Sequence, residues 1–489
     1  MARKSLRLRW SVVLIIAGLL FGVSAVFAGS PHVKQVTLDG TRKFQIIDGF
    51  GANINPDQWR DGKLKPALNL LVDDLGGTLY RFDCYGLADW LDPARRDKSG
   101  RFPPEYLQEA YTRPDFRDAW ETFRYLDSKG VKLFLNVSGR IPKALAGADG
   151  QTLTDLDGYA EMVVSLAKWA RQREKLRFTM LSPFNETDLG FPEGPKIPAA
   201  STVPAIRSIL QKLDEAGMSD VKLIVMDDAG GILSYLEPIL EETNLVNRIA
   251  VFATHTYGTG GDEDGSEWSM GESRFAKAFA KIRASSFRSA PLWIAEYGDL
   301  DQSEEVEFGV AWRSTRRLLK FLKDGASAGI VWDAYDNFHK HDAAWAIYGL
   351  LKTDQANWTY APKQRFWAAK QVFRYVRPGF QRVELSPNPS DAKDVFAMWR
   401  TPLKHMPLLA FISPDKRDFT IVGMSTVESD VELNVNLQSL PAGTLSQPVN
   451  YYRTSRGEHC LRVGEILVQQ GILKALIKED SIFTLSTIK

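Results

Sequence analysis

Phe178-Thr179-Met180-Leu181-Ser182-Pro183-Phe184-Asn185-Glu186 is an apolar, strand-like run that delivers a glutamate at its end, and Leu292-Trp293-Ile294-Ala295-Glu296-Tyr297 does the same. In a parallel β/α barrel the C-terminal tips of the strands form the mouth, where residues from distant parts of the chain converge. The two glutamates are 110 residues apart (296 minus 186), about three strand-plus-helix units at roughly 30 or more residues each. If Glu186 ends the fourth strand, Glu296 ends the seventh, and the two face each other across the mouth. Paired carboxyl groups about 5 Å apart suit cleavage of a glycosidic bond with retention, one as nucleophile and the other as acid/base.

Outward from these segments, strand-like runs alternate with amphipathic helical stretches between about Ile46 and Val376, the pattern of a parallel β/α fold. Eight strands are expected, at Ile46–Ala52, Thr78–Asp83, Lys132–Val137, Arg177–Ser182, Val221–Met226, Ile249–His255, Leu292–Glu296 and Gly329–Asp333. Phe116, Trp120 and Phe123 recur at helical spacing and Gly130 closes that helix. Further helices are expected at Tyr159–Arg173, Pro204–Ala216, Arg274–Arg283, Glu305–Lys323 and Pro362–Val376. After Arg377-Pro378-Gly379 short alternating segments such as Val431-Glu432-Leu433-Asn434-Val435-Asn436-Leu437 have the period of half-buried antiparallel strands. The fold class is therefore α/β, a (β/α)8 TIM barrel over residues 45–377 with an appended β-sandwich over 378–489. Residues 29–44, with a strand at Gln35–Leu38, are expected to join that sandwich.

Composition narrows the function classes. Lys and Arg total 61 against 60 Asp and Glu, so nothing global points to nucleic acid or an anionic surface. The 13 Trp and 15 Tyr include candidate stacking platforms for a neutral sugar, although most aromatics of a barrel fill core. Arg3, Lys4, Arg7 and Arg9 precede an apolar stretch from Trp10 to Ala28, and Val26-Phe27-Ala28 suits signal peptidase. Residues 1–28 read as a signal peptide, giving a secreted or periplasmic protein; the alternative is a retained membrane anchor. The stretch lacks a cysteine for lipidation. Cys84 and Cys460 are too few for a disulfide framework and are expected as free thiols, with an interdomain bridge as the alternative.

Several other residues fall at strand ends. Asn185 precedes Glu186, where its amide would hydrogen-bond a sugar 2-hydroxyl; alone, an Asn-Glu pair more often caps a helix. His255-Thr256-Tyr257 ends the sixth strand, and the Tyr257 hydroxyl would hold the neighbouring Glu296 carboxylate ionised. Arg81, at the end of the second strand, would do so by charge, or else make a structural ion pair. Trp332, at the end of the eighth, would floor the sugar site or pack in the core. His339-Lys340-His341 lacks a third ligand at metal spacing, and Asp262-Glu263-Asp264-Gly265-Ser266-Glu267 lacks full calcium-loop spacing. No metal and no cofactor are expected.

Taken together, the chain resembles glycoside hydrolase family 30, of the clan of retaining barrel glycosidases, nearly end to end. Ile47-Asp48-Gly49-Phe50-Gly51-Ala52 is similar to the family's opening strand, Pro183-Phe184-Asn185-Glu186 to its acid/base strand and Trp293-Ile294-Ala295-Glu296-Tyr297 to its nucleophile strand. Tyr375-Val376-Arg377-Pro378-Gly379 and Tyr452-Arg453-Thr454-Ser455 resemble its passage into the sandwich. The resemblance implies Glu186 as acid/base, Glu296 as nucleophile, and Arg81, Asn185, His255, Tyr257 and Trp332 around the sugar to be cleaved. Many members carry a Trp-containing, proline-rich motif after the third strand, whereas this chain has Leu135-Asn136-Val137-Ser138-Gly139-Arg140-Ile141-Pro142, with Arg140 a candidate contact to a hydroxyl or an acidic sugar. Thr187 stands where Pro is common, and Glu193-Gly194 resembles the endo-acting branches that cut β-1,6-linked glycans. The expected partner is an oligo- or polysaccharide. The alternatives are a non-catalytic carbohydrate-binding protein on the same fold, and a barrel lyase or isomerase; the latter would need a Lys base, metal ligands or a phosphate loop at the later strand ends.

Overall fold

The computed structural model describes residues 32–230, 232–258, 274–300, 307–339, 344–387, 406–425 and 429–489. Eight parallel strands close into a barrel: β1 (Gly49–Ile54), β2 (Leu79–Tyr85), β3 (Lys132–Ser138), β4 (Met180–Ser182), β5 (Lys222–Asp228), β6 (Ile249–Gly258), β7 (Leu292–Asp299) and β8 (Ala328–Val331), with β8 pairing back onto β1. Their continuous apolar sequences reflect burial on both faces, as in other parallel sheets. One set of side chains, including Leu79, Phe134, Met180, Ile224, Val251 and Trp293, fills the barrel interior. The alternate set, including Tyr80, Leu135, Leu181, Leu223, Phe252 and Ile294, packs outward against the helices. The expected strands and helices are largely in place. Helix Pro114–Ser128 ends before Gly130, whose φ of +73° is the left-handed conformation that favours glycine. Helix Ile232–Leu240, with Pro238 in its interior, has no counterpart in the sequence reading.

Interior alternation carries straight to the mouth in some strands. In β2 it runs Leu79, Arg81, Asp83; in β3 Phe134, Asn136, Ser138; in β6 Val251, Ala253, His255, Tyr257. In β7 it does not. Trp293 and Ala295 point inward, so strict alternation would turn Glu296 out. A bulge shifts the register between the Thr254↔Ile294 and His255↔Glu296 pairs, which aims Glu296 into the mouth and leaves Tyr297 among the outward-packing residues.

The second unit is a nine-stranded sheet ordered Glu458–Ile466, Val449–Ser455, Ser481–Ser486, Phe419–Ser425, Leu408–Ile412, Gln381–Ser386, His32–Ile46, Val431–Gln438 and Ile472–Ile477. Strands from opposite ends of this order share one apolar core, with Val449 and Tyr451 in the same cluster as Leu433 and Leu473, so the sheet wraps into the two layers of a β-sandwich. Ile46 belongs to this sheet and not to the first barrel strand. Helix Gln364–Phe373 ties the units together: Gln371 Nε2 donates to Thr454 Oγ1 at 2.9 Å, and Thr484 Oγ1 donates to the Gln371 carbonyl at 2.6 Å. Cys84 and Cys460 are not joined in a disulfide. Among the described residues no helix is long and apolar enough to cross a membrane. The N-terminal segment 1–28, the acidic run 262–267 and Lys340-His341 lie outside the described residues.

Candidate active site

Glu186, on the loop after β4, and Glu296, on β7, meet at the mouth. Together with His255 they present oxygen and nitrogen atoms that all lie within 4.8 Å of one another. Both glutamates and His255 are buried. His255 Nδ1 lies 2.9 Å from Glu186 Oε1 and 3.5 Å from Glu296 Oε2. The Arg81 guanidinium binds Glu296 Oε1 through Nη1 and Asn185 Oδ1 through Nη2, the latter at 2.5 Å. The Tyr257 hydroxyl donates to Glu296 Oε2. Of the seven predicted site residues, six are thus brought together in one hydrogen-bonded cluster.

Trp332, the seventh, follows β8. It is half-buried, stacks on His339 with ring centroids 5.3 Å apart, and lines a cavity beside the cluster with Asn55, Asp57, Asp83, Tyr85 and Trp90. His339, singled out as half of a histidine pair, is buried against Trp332 and lies 3.4 Å from Asp333 Oδ2.

Asp227, at the end of β5, is a partner the sequence reading lacked. Its carboxylate receives Arg81 Nη2 at 3.2 Å, Ser182 Oγ at 2.8 Å and Asn136 Nδ2 at 3.2 Å, and its other oxygen lies 3.0 Å from His255 Nε2. It is fully buried. Met226 and Asp227 both have positive φ, at 74° and 52°, with a register shift between Met226 and Asp228. The break in alternation swings Asp227 inward where period two would have placed Met226. Glu186 is also left-handed, φ 43°, and its N–H donates to the Asp227 carbonyl at 2.8 Å. Non-glycine residues in this region are strained, a cost that functional sites carry more often than the rest of a fold.

The electrostatics follow from burial and neighbours. Burial pushes the Asp227 carboxyl up, but the charges of Arg81 and His255 and its hydrogen bonds overcome this and hold it at about 2. Burial opposes the His255 charge, yet Glu296 and Asp227 raise it well above the ordinary imidazole range. For Glu296 burial is the largest influence and wins: the carboxyl is pushed up to about 8, with the Glu186 charge adding to the shift and His255 and Arg81 opposing it. The expectation that Arg81 and Tyr257 keep Glu296 low is met in contact but not in outcome, because neither offsets the loss of water. Among the described residues, Glu186, His255 and Glu296 also form a group whose ligand atoms are close enough to hold a metal ion. Within it Arg81 binds Glu296, and the two His255 nitrogens lie against Glu186 and Asp227.

No protein-family model matches the chain and no curated protein matches it. Solved structures do. A GH30 endoxylanase from Clostridium papyrosolvens C71 aligns over 93% of this chain and 99% of its own with a TM-score of 0.66 at 16% identity. A conserved exported protein from Bacteroides fragilis aligns over 93% and 100% with a TM-score of 0.66 at 14% identity. The endo-β-1,6-glucanase BT3312 aligns over 94% and 96% with a TM-score of 0.62 at 14% identity. These likenesses run through barrel and sandwich together and establish the shared fold.

Proposed function

We propose that this chain is a retaining β-glycoside hydrolase acting on a β-linked glycan. The observation that carries the reading is the convergence of Glu186 and Glu296 at the barrel mouth, where a carboxylate oxygen of each lies within 4.8 Å of the other; a close approach of two carboxyl groups is what double displacement uses. Glu296 attacks the anomeric carbon as the glycosidic C–O bond breaks, and Glu186 gives its proton to the leaving oxygen. Glu186, now ionised, takes a proton from water, whose oxygen displaces Glu296 and regenerates both groups. Arg81 and Tyr257 orient the nucleophile, His255 orients the acid/base, and Trp332 stacks on the sugar. Asn185, held by Arg81 and by its own donation to the Glu193 carbonyl at 3.0 Å, stands beside the 2-hydroxyl.

The finer reading is an exported endo-β-1,6-glycanase. The basic and apolar residues of 1–28 support export, and Glu193-Gly194 beside Asn185 supports the linkage, together with the likeness to a β-1,6-glucanase. The test is hydrolysis of β-1,3-, β-1,4- and β-1,6-glucans, galactans and xylans by the protein lacking residues before Gly29, with Glu296→Gln as control. Cleavage by wild type and loss of roughly 10⁴-fold or more in the variant is expected. Binding of a glycan that survives equally in both would support a carbohydrate-binding protein instead.

A further inference from the structure

Phe191 stands five residues beyond Glu186 with 52% of its surface exposed, next to Leu189 at 57%. An exposed aromatic ring on the loop of a candidate acid/base is placed to meet a ligand, since an aromatic face is a ready stacking surface. The segment that carries them is firmly tied. Leu189 and Gly190 N–H groups donate to the Glu186 carbonyl at 2.9 and 3.0 Å, and the Gly139 N–H to the Glu193 carbonyl at 2.8 Å. Tyr85 donates its hydroxyl to the Pro192 carbonyl at 2.9 Å, and Asn185 its amide to the Glu193 carbonyl. The ring is therefore held in register with Glu186. Arg140, on the loop after β3, places its guanidinium 5.8 Å from the ring centroid, backing part of the ring by a cation–π contact while the rest stays open to solvent.

The cavity bounded by Asn55, Asp83, Tyr85, Trp90 and Trp332 lies at the ends of β8, β1 and β2, and neither Glu186 nor Glu296 is among the residues that line it. Phe191 lies on the β4 loop that carries Glu186, the acid/base of the proposed function, and the carbonyl of the next residue, Pro192, takes the hydroxyl of Tyr85, which lines that cavity. We propose that Phe191, backed by Arg140, is the stacking platform for the sugar on the leaving-group side. This makes the site selective for glycans that continue past the cleaved bond over single-sugar glycosides. The inference rests on the hydrolase reading above.

The test compares two substrates of one sugar: the gluco- or xylo-oligosaccharide that wild type cleaves fastest, and the matching β-glycosyl fluoride, whose leaving group reaches no platform. Phe191→Ala is expected to lower kcat/KM on the oligosaccharide about three- to ten-fold, the worth of one aromatic stacking contact, and to leave the fluoride unchanged. Phe191→Trp is expected to restore the oligosaccharide rate, which a merely structural role would not do. Equal loss on both substrates, or no loss on either, overturns the platform while the hydrolase stands. A wild type that cleaves neither overturns the hydrolase reading and the platform with it.

Discussion

The Arg81 guanidinium and the Asp227 carboxylate meet at 3.2 Å with neither side chain exposed to solvent. Neither residue is beside the other in sequence, and the pair exists because β2 keeps its alternation while β5 breaks it. Removing one member of a buried ion pair leaves the other charge stranded, at a cost of about 3–5 kcal/mol. Asp227→Asn is therefore expected to lower unfolding free energy by about that amount in urea titration. An unchanged midpoint would show that the pair is dispensable. In the wild type, Asp227 has a folded value of about 2 against an ordinary 3.8. Its contribution is thus present above 3.8 and is lost as pH falls through about 2.

The Glu296 carboxyl sets a second expectation. Nucleophilic attack requires its ionised form, and burial raises it from 4.5 to about 8. The acidic limb of kcat/KM is expected well above 4.5, moved toward 8, as an apparent value belonging to the whole cluster. Tyr257→Phe removes a donor to the ionised form and is expected to move the limb further up. A limb at or below 4.5, or one that Tyr257→Phe leaves in place, would contradict this. A raised folded value also favours folding only below the unfolded value. Wild type is therefore expected to lose stability from pH 4.5 toward 8, and Glu296→Gln to lose less.

Acid assistance by Glu186 predicts a dependence on the leaving group. Glu186→Ala is expected to slow cleavage of an unactivated oligosaccharide by roughly 10²–10⁴-fold, the usual worth of general acid catalysis. An aryl glycoside with an acidic phenol, which departs without a proton, is expected to form the glycosyl-enzyme at nearly the wild-type rate. Added azide is expected to speed turnover and give a β-glycosyl azide. Equal slowing of bond cleavage with both substrates would take the acid role away from Glu186.

Gly194 passes so close to Asn185 that a Cβ would sit 1.9 Å from the Asn185 carbonyl oxygen. Gly194→Ala is expected to push the Glu186–Glu193 loop outward, cutting kcat/KM at least ten-fold with little change in melting temperature. Retained activity would mean that the loop does not position Asn185.

The barrel was legible because its strands are apolar through their length and its helices amphipathic. The long apolar runs before Glu186 and Glu296 marked the two carboxylates that face each other. Asp227 was not legible, since inside Met226-Asp227-Asp228 strict alternation points it outward and only a left-handed pair of residues turns it in. The bulge that aims Glu296 inward is equally invisible in Trp293-Ile294-Ala295-Glu296, where the glutamate was picked by its place at the strand end and not by its direction. Helix Ile232–Leu240 escaped because Pro238 interrupts a short apolar stretch. The rise of Glu296 escaped because burial is a property of the closed mouth, whereas Arg81 and Tyr257 can be read one residue at a time.

The most direct test of the account is to incubate the protein with a 2-deoxy-2-fluoro β-glycosyl fluoride of the sugar it cleaves and map the modified peptide by mass spectrometry. The expected result is one glycosyl group per chain, attached at Glu296 and absent from Glu296→Gln. Turnover without an adduct, or an adduct on another residue, would contradict it.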